Sequence, residues 1–174
     1  MWCFDAGITD VVLVNDHPDA SDGEMINGRH VSVISDWRTP HLFIVGIRNP
    51  NAKGMMVAKA LLADWQPHAS IIHPNATVRS EIEPGGVICP GAVVAGDVRI
   101  GRCVIIGSNS TVDNNTWIGG NTTLDAGVHV GQSCRIAGFA HICTGAVLGD
   151  QAKIDHATRI EAGSRIINTH KGNP

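Results

Sequence analysis

The sequence predicts a mainly β fold: a triangular coil of short parallel strands, about five turns tall, preceded by a small α/β unit. Two observations carry this. From Glu81 onward the chain divides into fifteen consecutive hexads, whose second place reads Ile82, Ile88, Val94, Ile100, Ile106, Val112, Ile118, Leu124, Val130, Ile136, Ile142, Leu148, Ile154, Ile160 and Ile166 without a break. The composition agrees, with 43% hydrophobic residues but only 4% aromatics, no Tyr and 20 Gly among 174 residues. Such a core is built from small aliphatics in a repetitive arrangement.

A six-residue aliphatic period matches neither the 3.6 of a helix stripe nor the 2 of a half-buried strand. It fits two-residue strands joined by tight corners, three faces to a coil of eighteen residues. At ~4.8 Å per parallel strand, five coils make a prism about 24 Å tall. The sixth place is small or β-branched in every hexad before the last and the third is often Gly, Asp or Ala, which lets each corner close.

Residues 1–72 lack the hexad. Val11-Val12-Leu13-Val14 reads as a buried strand ended by the turn signal Asn15-Asp16-His17-Pro18. A second apolar run, Leu42 to Ile47, precedes Arg48-Asn49-Pro50, and Ala52 to Trp65 places Val57, Ala60, Leu61 and Trp65 at helical spacing. The division expected is therefore 1–72 for the α/β unit and 73–174 for the coil.

Thirteen Lys plus Arg against sixteen Asp plus Glu give a net charge of −3, without the basic footprint of a nucleic-acid binder. No apolar run approaches the ~20 residues of a membrane span, so membrane insertion is not expected. The five cysteines contain no C-x-x-C and are odd in number, which points to a reducing, cytoplasmic setting.

The hexapeptide pattern resembles the left-handed parallel β-helix of the acyltransferase superfamily. Val11-Val12-Leu13-Val14-Asn15-Asp16-His17-Pro18, Phe43-Ile44-Val45-Gly46-Ile47-Arg48-Asn49, Ile72-His73-Pro74 and Phe139-Ala140-His141-Ile142 with Gly145-Ala146 narrow the resemblance. They resemble the sialic-acid O-acetyltransferase family, which includes N-acetyltransferases of UDP-linked 4-amino sugars in bacterial glycan synthesis. That resemblance implies a left-handed winding, a homotrimer, a truncated Rossmann-like N-terminal unit, acetyl-CoA as co-substrate and a sugar-nucleotide or sialic-type acceptor. It also implies shortened ends: the family's opening strand and Gly-Gly-His-Gly type loop have no counterpart before Asp10, and its further hexads have none after Ile166.

Acetyl transfer needs a base for the acceptor's proton, donors for the developing oxyanion and a groove for pantetheine. The resemblance puts the family's base histidine at Gln132, or at Asn114 in the register without an extra coil, and neither amide is a general base. Asn114, Gln132 and Asp150 recur every eighteen residues and are expected to stack as a ladder. His141 takes the family position beside the thioester. His156, with Asp155 to orient it, is the one Asp-His pair resembling the family's base motif, and His129 could face the same cleft as Gln132. Gly145, Gly149, Asp150 and Ala162 are expected along the coenzyme, the backbone N–H groups of the first three being candidate oxyanion donors. Asn15 and Asp16 fall where the family has an acidic pair, with a turn-capping carboxylate as the other reading of Asp16. His73 reads as a junction residue bonded to the first coil. The same prism carries zinc in gamma-class carbonic anhydrases, but their Arg and Gln partners are not recognisable here and no metal is expected.

Two functions follow. One is an acetyl-CoA-dependent acetyltransferase of a nucleotide-linked amino sugar or sialic-type sugar. The other is a non-catalytic paralogue that binds a sugar nucleotide or a partner protein.

Overall fold

The structure, a computed structural model, describes residues 41–167 together with the strand residues 13–15, 25–26 and 29–33. Strand β1 (Leu13–Asn15) pairs in parallel with β3 (Arg29–Val33), and β2 (Met25–Ile26) pairs antiparallel to β3. A second small sheet joins β4 (Leu42–Phe43) in parallel to β5 (Gln66–Pro67), with helix α1 (Pro50–Leu62) as the crossover. The apolar run Leu42 to Ile47 leaves the sheet after Phe43, and Asn49 caps α1. Its side chain accepts from the N–H groups of Asn51 and Ala52, and Pro50 occupies the first turn, where a missing N–H costs nothing.

The rest is a parallel solenoid of about five turns, with three faces of two-residue strands. The first face stacks the strands beginning at Ile71, Val87, Ile105, Thr123, His141 and Arg159. The second stacks those beginning at Thr77, Val93, Thr111, His129, Val147 and Arg165. The third runs through Arg99, Trp117, Arg135 and Lys153, with Ile82 bridged to Ile100 beneath it. The rungs begin at Ile71, ten residues before the hexads become regular. Ile71 pairs with Val87 and Thr77 with Val93, offsets of sixteen where later rungs use eighteen, so the first turn breaks the period that reveals the others.

The second-place aliphatics form one continuous core, with Ile88, Ile106, Ile118, Leu124, Ile136 and Ile142 wholly buried. The sixth place is small for a reason beyond space. Ser110 Oγ donates to the Asp125 carbonyl and accepts from Val128 N–H, and Thr116 Oγ1 does the same between Gly131 and Cys134. A buried hydroxyl thus staples one coil to the next with both its hydrogen bonds made.

Every fifth place from Gly85 to Gly163 has positive φ. Gly, Asn and Asp dominate there because they tolerate the left-handed region that tight corners need. Phe139, at φ 61°, is the bulky exception. Its ring lies between Gly54 of α1 and the His156 ring, whose centroid is 5.2 Å away. Helix α1 lies along this corner between the third and first faces. Val57 and Ala60 pack with Phe43, Val45, Trp65 and the corner residue Cys103.

Candidate functional site

On the first face, side chains at the first and third places of each hexad point outward, and successive rungs stack them ~4.8 Å apart. One column reads Ile105, Thr123, His141, Arg159; its neighbour reads Gly107, Asp125, Cys143, Glu161. Gly107 carries no side chain because a Cβ there would lie 2.5 Å from the carbonyl carbon of Asp125. The polar residues of the upper three rungs interlock. His141 Nε2 lies 3.1 Å from Asp125 Oδ2, Arg159 NH1 lies 3.0 Å from His141 Nδ1, and Arg159 holds Glu161 through Nε–Oε1 at 2.9 Å and NH2–Oε2 at 3.4 Å. From the turn before α1, Arg48 NH1 reaches Asp125 Oδ1 at 3.5 Å.

Burial falls steeply outward through this chain. The side chain of Asp125 is 8% exposed, that of His141 16%, Arg159 55% and Glu161 71%. A carboxylate as deep as Asp125 needs partners, and among the described residues it has Arg48 and His141.

The tautomer follows from donor arithmetic. A guanidinium only donates, so Nδ1 of His141 is the acceptor of Arg159, and Nε2 carries the hydrogen and donates to Asp125. The result is a neutral imidazole oriented by a buried carboxylate, with its basic nitrogen on the outer side. The hydrogen bonds to Glu161 push the pKa of Arg159 up, so that guanidinium stays charged.

Beneath the site, Lys53 of α1 is wholly buried. Its Nζ donates to the Thr122 carbonyl at 3.1 Å and to Thr123 Oγ1 at 2.9 Å, directly below His141 in the column. Burial lowers its pKa to about 7, with Cys103 opposing.

Asp125, His141 and Cys143 bring one potential ligand atom each within 4.8 Å of one another. The set has the chemistry for a borderline cation. However, Arg48 pairs with Asp125 Oδ1 and Arg159 donates to His141 Nδ1, so two of the three groups already have cationic partners. Burial raises the Cys143 pKa, which keeps it a thiol rather than a nucleophilic thiolate at neutral pH.

Of the residues singled out from sequence, His141 alone stands at this centre. Gln132 and Asp150 form the expected ladder rung, Gln132 N and Nε2 donating to the two carboxylate oxygens at 3.1 and 3.2 Å. They lie at the corner between the second and third faces, opposite the first face, as does Asn114. His129 Nδ1 meets Thr111 Oγ1 at 3.0 Å on the second face. His156 and Asp155 are exposed at the corner beside Phe139, with no hydrogen bond between them among the described residues. The N–H groups of Gly145 and Gly149 donate to Ala126 and Ile166 carbonyls, so the coil itself uses these candidate oxyanion donors. Ala162 lies at the turn after the Arg159 strand. His73 N donates to the Ile88 carbonyl and its ring accepts from Asn75 N–H. Asn15 ends β1, and Asp16 lies outside the described residues.

Sequence reasoning missed Asp125, Arg159, Glu161, Arg48 and Lys53. Adding eighteen to Asp125 gives Cys143 and then Glu161, and adding it to Thr123 gives His141 and then Arg159. The signal that exposed the Gln132 ladder was therefore present for this face as well.

No family model matches the chain, and no curated protein matches it. Solved structures do. The acetyltransferase domain of PglB from Neisseria gonorrhoeae FA1090 in complex with acetyl coenzyme A is similar with a TM-score of 0.59 at 20% identity, over 88% of this chain and 81% of that one. A mutant of perosamine N-acetyltransferase from Caulobacter crescentus in complex with CoA and GDP-perosamine gives 0.54 at 19%, over 91% of each chain. At these identities the likeness is one of fold.

Proposed function

We propose that the protein is an acetyl-CoA-dependent acetyltransferase whose acceptor is a nucleotide-linked amino sugar or a sialic-type sugar of bacterial surface glycans, with His141 as general base. The observation that carries this reading is the buried Asp125 carboxylate holding Nε2–H of His141, which aims Nδ1 outward as the basic nitrogen. The acceptor amine or hydroxyl attacks the thioester carbonyl and gives its proton to Nδ1. Asp125 stabilises the imidazolium formed. Collapse of the tetrahedral intermediate breaks the C–S bond, and the imidazolium returns the proton to the leaving CoA thiolate. The fold shared with an acetyltransferase domain in complex with acetyl coenzyme A and with a perosamine N-acetyltransferase in complex with CoA supports the choice of donor. In the same reading the coil winds left-handed in a cytoplasmic homotrimer, residues 1–72 face the sugar nucleotide with Asn15 and Asp16, and Gly145, Gly149, Asp150 and Ala162 line the coenzyme.

The second reading, a non-catalytic sugar-nucleotide binder, is favoured by one observation: Gln132 stands bonded to Asp150 where the family resemblance expects a histidine.

A thermal-shift titration with acetyl-CoA, followed by thiol release in the presence of UDP- or GDP-linked 4-amino sugars, separates the two. A ligand of the native state must raise its melting temperature. Stabilisation with turnover that His141→Ala abolishes supports the first reading. Absence of stabilisation at millimolar acetyl-CoA, or turnover indifferent to His141→Ala, sinks it.

A further inference from the structure

Every bond of the Asp125–His141–Arg159–Glu161 chain has a direction, and the outermost one closes the site. In this arrangement Nδ1 is the imidazole's single lone pair able to take a proton, and Arg159 caps it at 3.0 Å. A capped nitrogen takes no proton from an acceptor, and protonating it there would set two positive charges side by side. The cap is also the least anchored part. Its guanidinium is half exposed and its partner Glu161 more so, so solvent screens that ion pair. Arg48, 72% exposed, puts a second guanidinium on the other carboxylate oxygen of Asp125.

We propose that Arg159 is a latch on His141 that the acceptor's own oxyanion releases. A carboxylate or phosphate entering between Arg48 and Arg159 offers the planar, bidentate partner that guanidinium prefers. It draws Arg159 off Nδ1 while Asp125 keeps the ring in place. The base is uncovered only when a charged acceptor is bound. Arg159 is then a positioning residue that selects acceptors carrying an anionic group near the reacting amine or hydroxyl, such as a sialic-type carboxylate or the diphosphate of a nucleotide sugar. This rests on the reading of His141 as the base.

The test has a readout independent of turnover. Diethylpyrocarbonate attacks the free lone pair of a neutral imidazole, and peptide mass spectrometry locates the adduct at His141. Arg159→Met keeps the length of the stem and removes the donors, while Arg159→Lys keeps the charge. Carbethoxylation of His141 is expected to rise about tenfold in Arg159→Met, the factor for one lost charge-assisted hydrogen bond, and less in Arg159→Lys. An unchanged rate in Arg159→Met overturns the latch. In turnover, the wild type should favour anionic acceptors through KM. Arg159→Met should erase that preference while raising kcat for an uncharged amino sugar. Running carboxylated and diphosphate-linked acceptors in parallel tells which oxyanion is used. If both lose nothing in Arg159→Met, the latch fails even where His141-dependent transfer remains. If carbethoxylation responds but no acetyl transfer occurs, the cap of Arg159 on His141 stands, while the acetyltransferase reading, and with it release by an acceptor, fails.

Discussion

Lys53 Nζ donates to Thr123 Oγ1 across 2.9 Å, so a fully buried lysine of helix α1 is bolted to the rung directly beneath His141. A second bond to the Thr122 carbonyl fixes the helix along the coil corner. That docking brings the segment ahead of α1, with Arg48, over Asp125. The helix therefore contributes to the site through its placement as well as through its own residues.

The lysine gives stability a pH dependence of known sign. Its folded pKa of about 7 lies below the ordinary 10.5, so between these values the unfolded chain holds a proton that the folded chain has released. Stability rises with pH across that window; the cost of burying the charge is fully present below about pH 7. Buried cysteine thiols, with raised pKa values, reverse the slope above about pH 9. Urea midpoints should therefore climb between pH 7 and 9 in the wild type and stay level in Lys53→Met. Equal slopes in the two proteins would show that Lys53 does not titrate in this range.

Gly54 is where the helix touches Phe139. A methyl at that position would overlap the ring. Alanine gains about 1 kcal/mol of helix propensity over glycine, but overpacking a close contact costs about 1–3 kcal/mol, so the clash decides the sign. Gly54→Ala should lower the denaturation midpoint, and adding Phe139→Leu should recover most of the loss. A Gly54→Ala protein as stable as the wild type would mean that α1 is not held at this corner.

The inward column is continuous, so shortening one member leaves a hole that the rungs above and below cannot fill. Leu124→Ala, at a wholly buried position, should cost about 2–5 kcal/mol in denaturant unfolding. A loss under about 1 kcal/mol would contradict a close-packed prism.

Asp125→Asn tests the orienting carboxylate. The amide can still accept from Nε2, but it brings no charge to balance an imidazolium. Acetyl transfer should fall about 10²–10⁴-fold with little change in melting temperature. A rate within a factor of two of the wild type would remove Asp125 from the mechanism.

The amino-acid sequence by itself determined the solenoid. The inward Ile, Val and Leu of each second place and the Gly, Asn and Asp of the corners are local requirements of each turn, repeated along one axis, and a one-dimensional repeat displays them in one dimension. It also fixed who stands above whom, since a period of eighteen makes Gln132 the neighbour of Asp150 and Thr123 the neighbour of His141. The first turn escaped because its sixteen residues break that period. Only the tertiary structure decided which neighbours bond. Asp125 reaches diagonally to His141, Arg48 arrives from 77 residues away, and Lys53, a residue type expected in water, is buried by the docking of α1. Those contacts depend on rotamers and on where a helix comes to rest against the prism, and neither is written in the repeat.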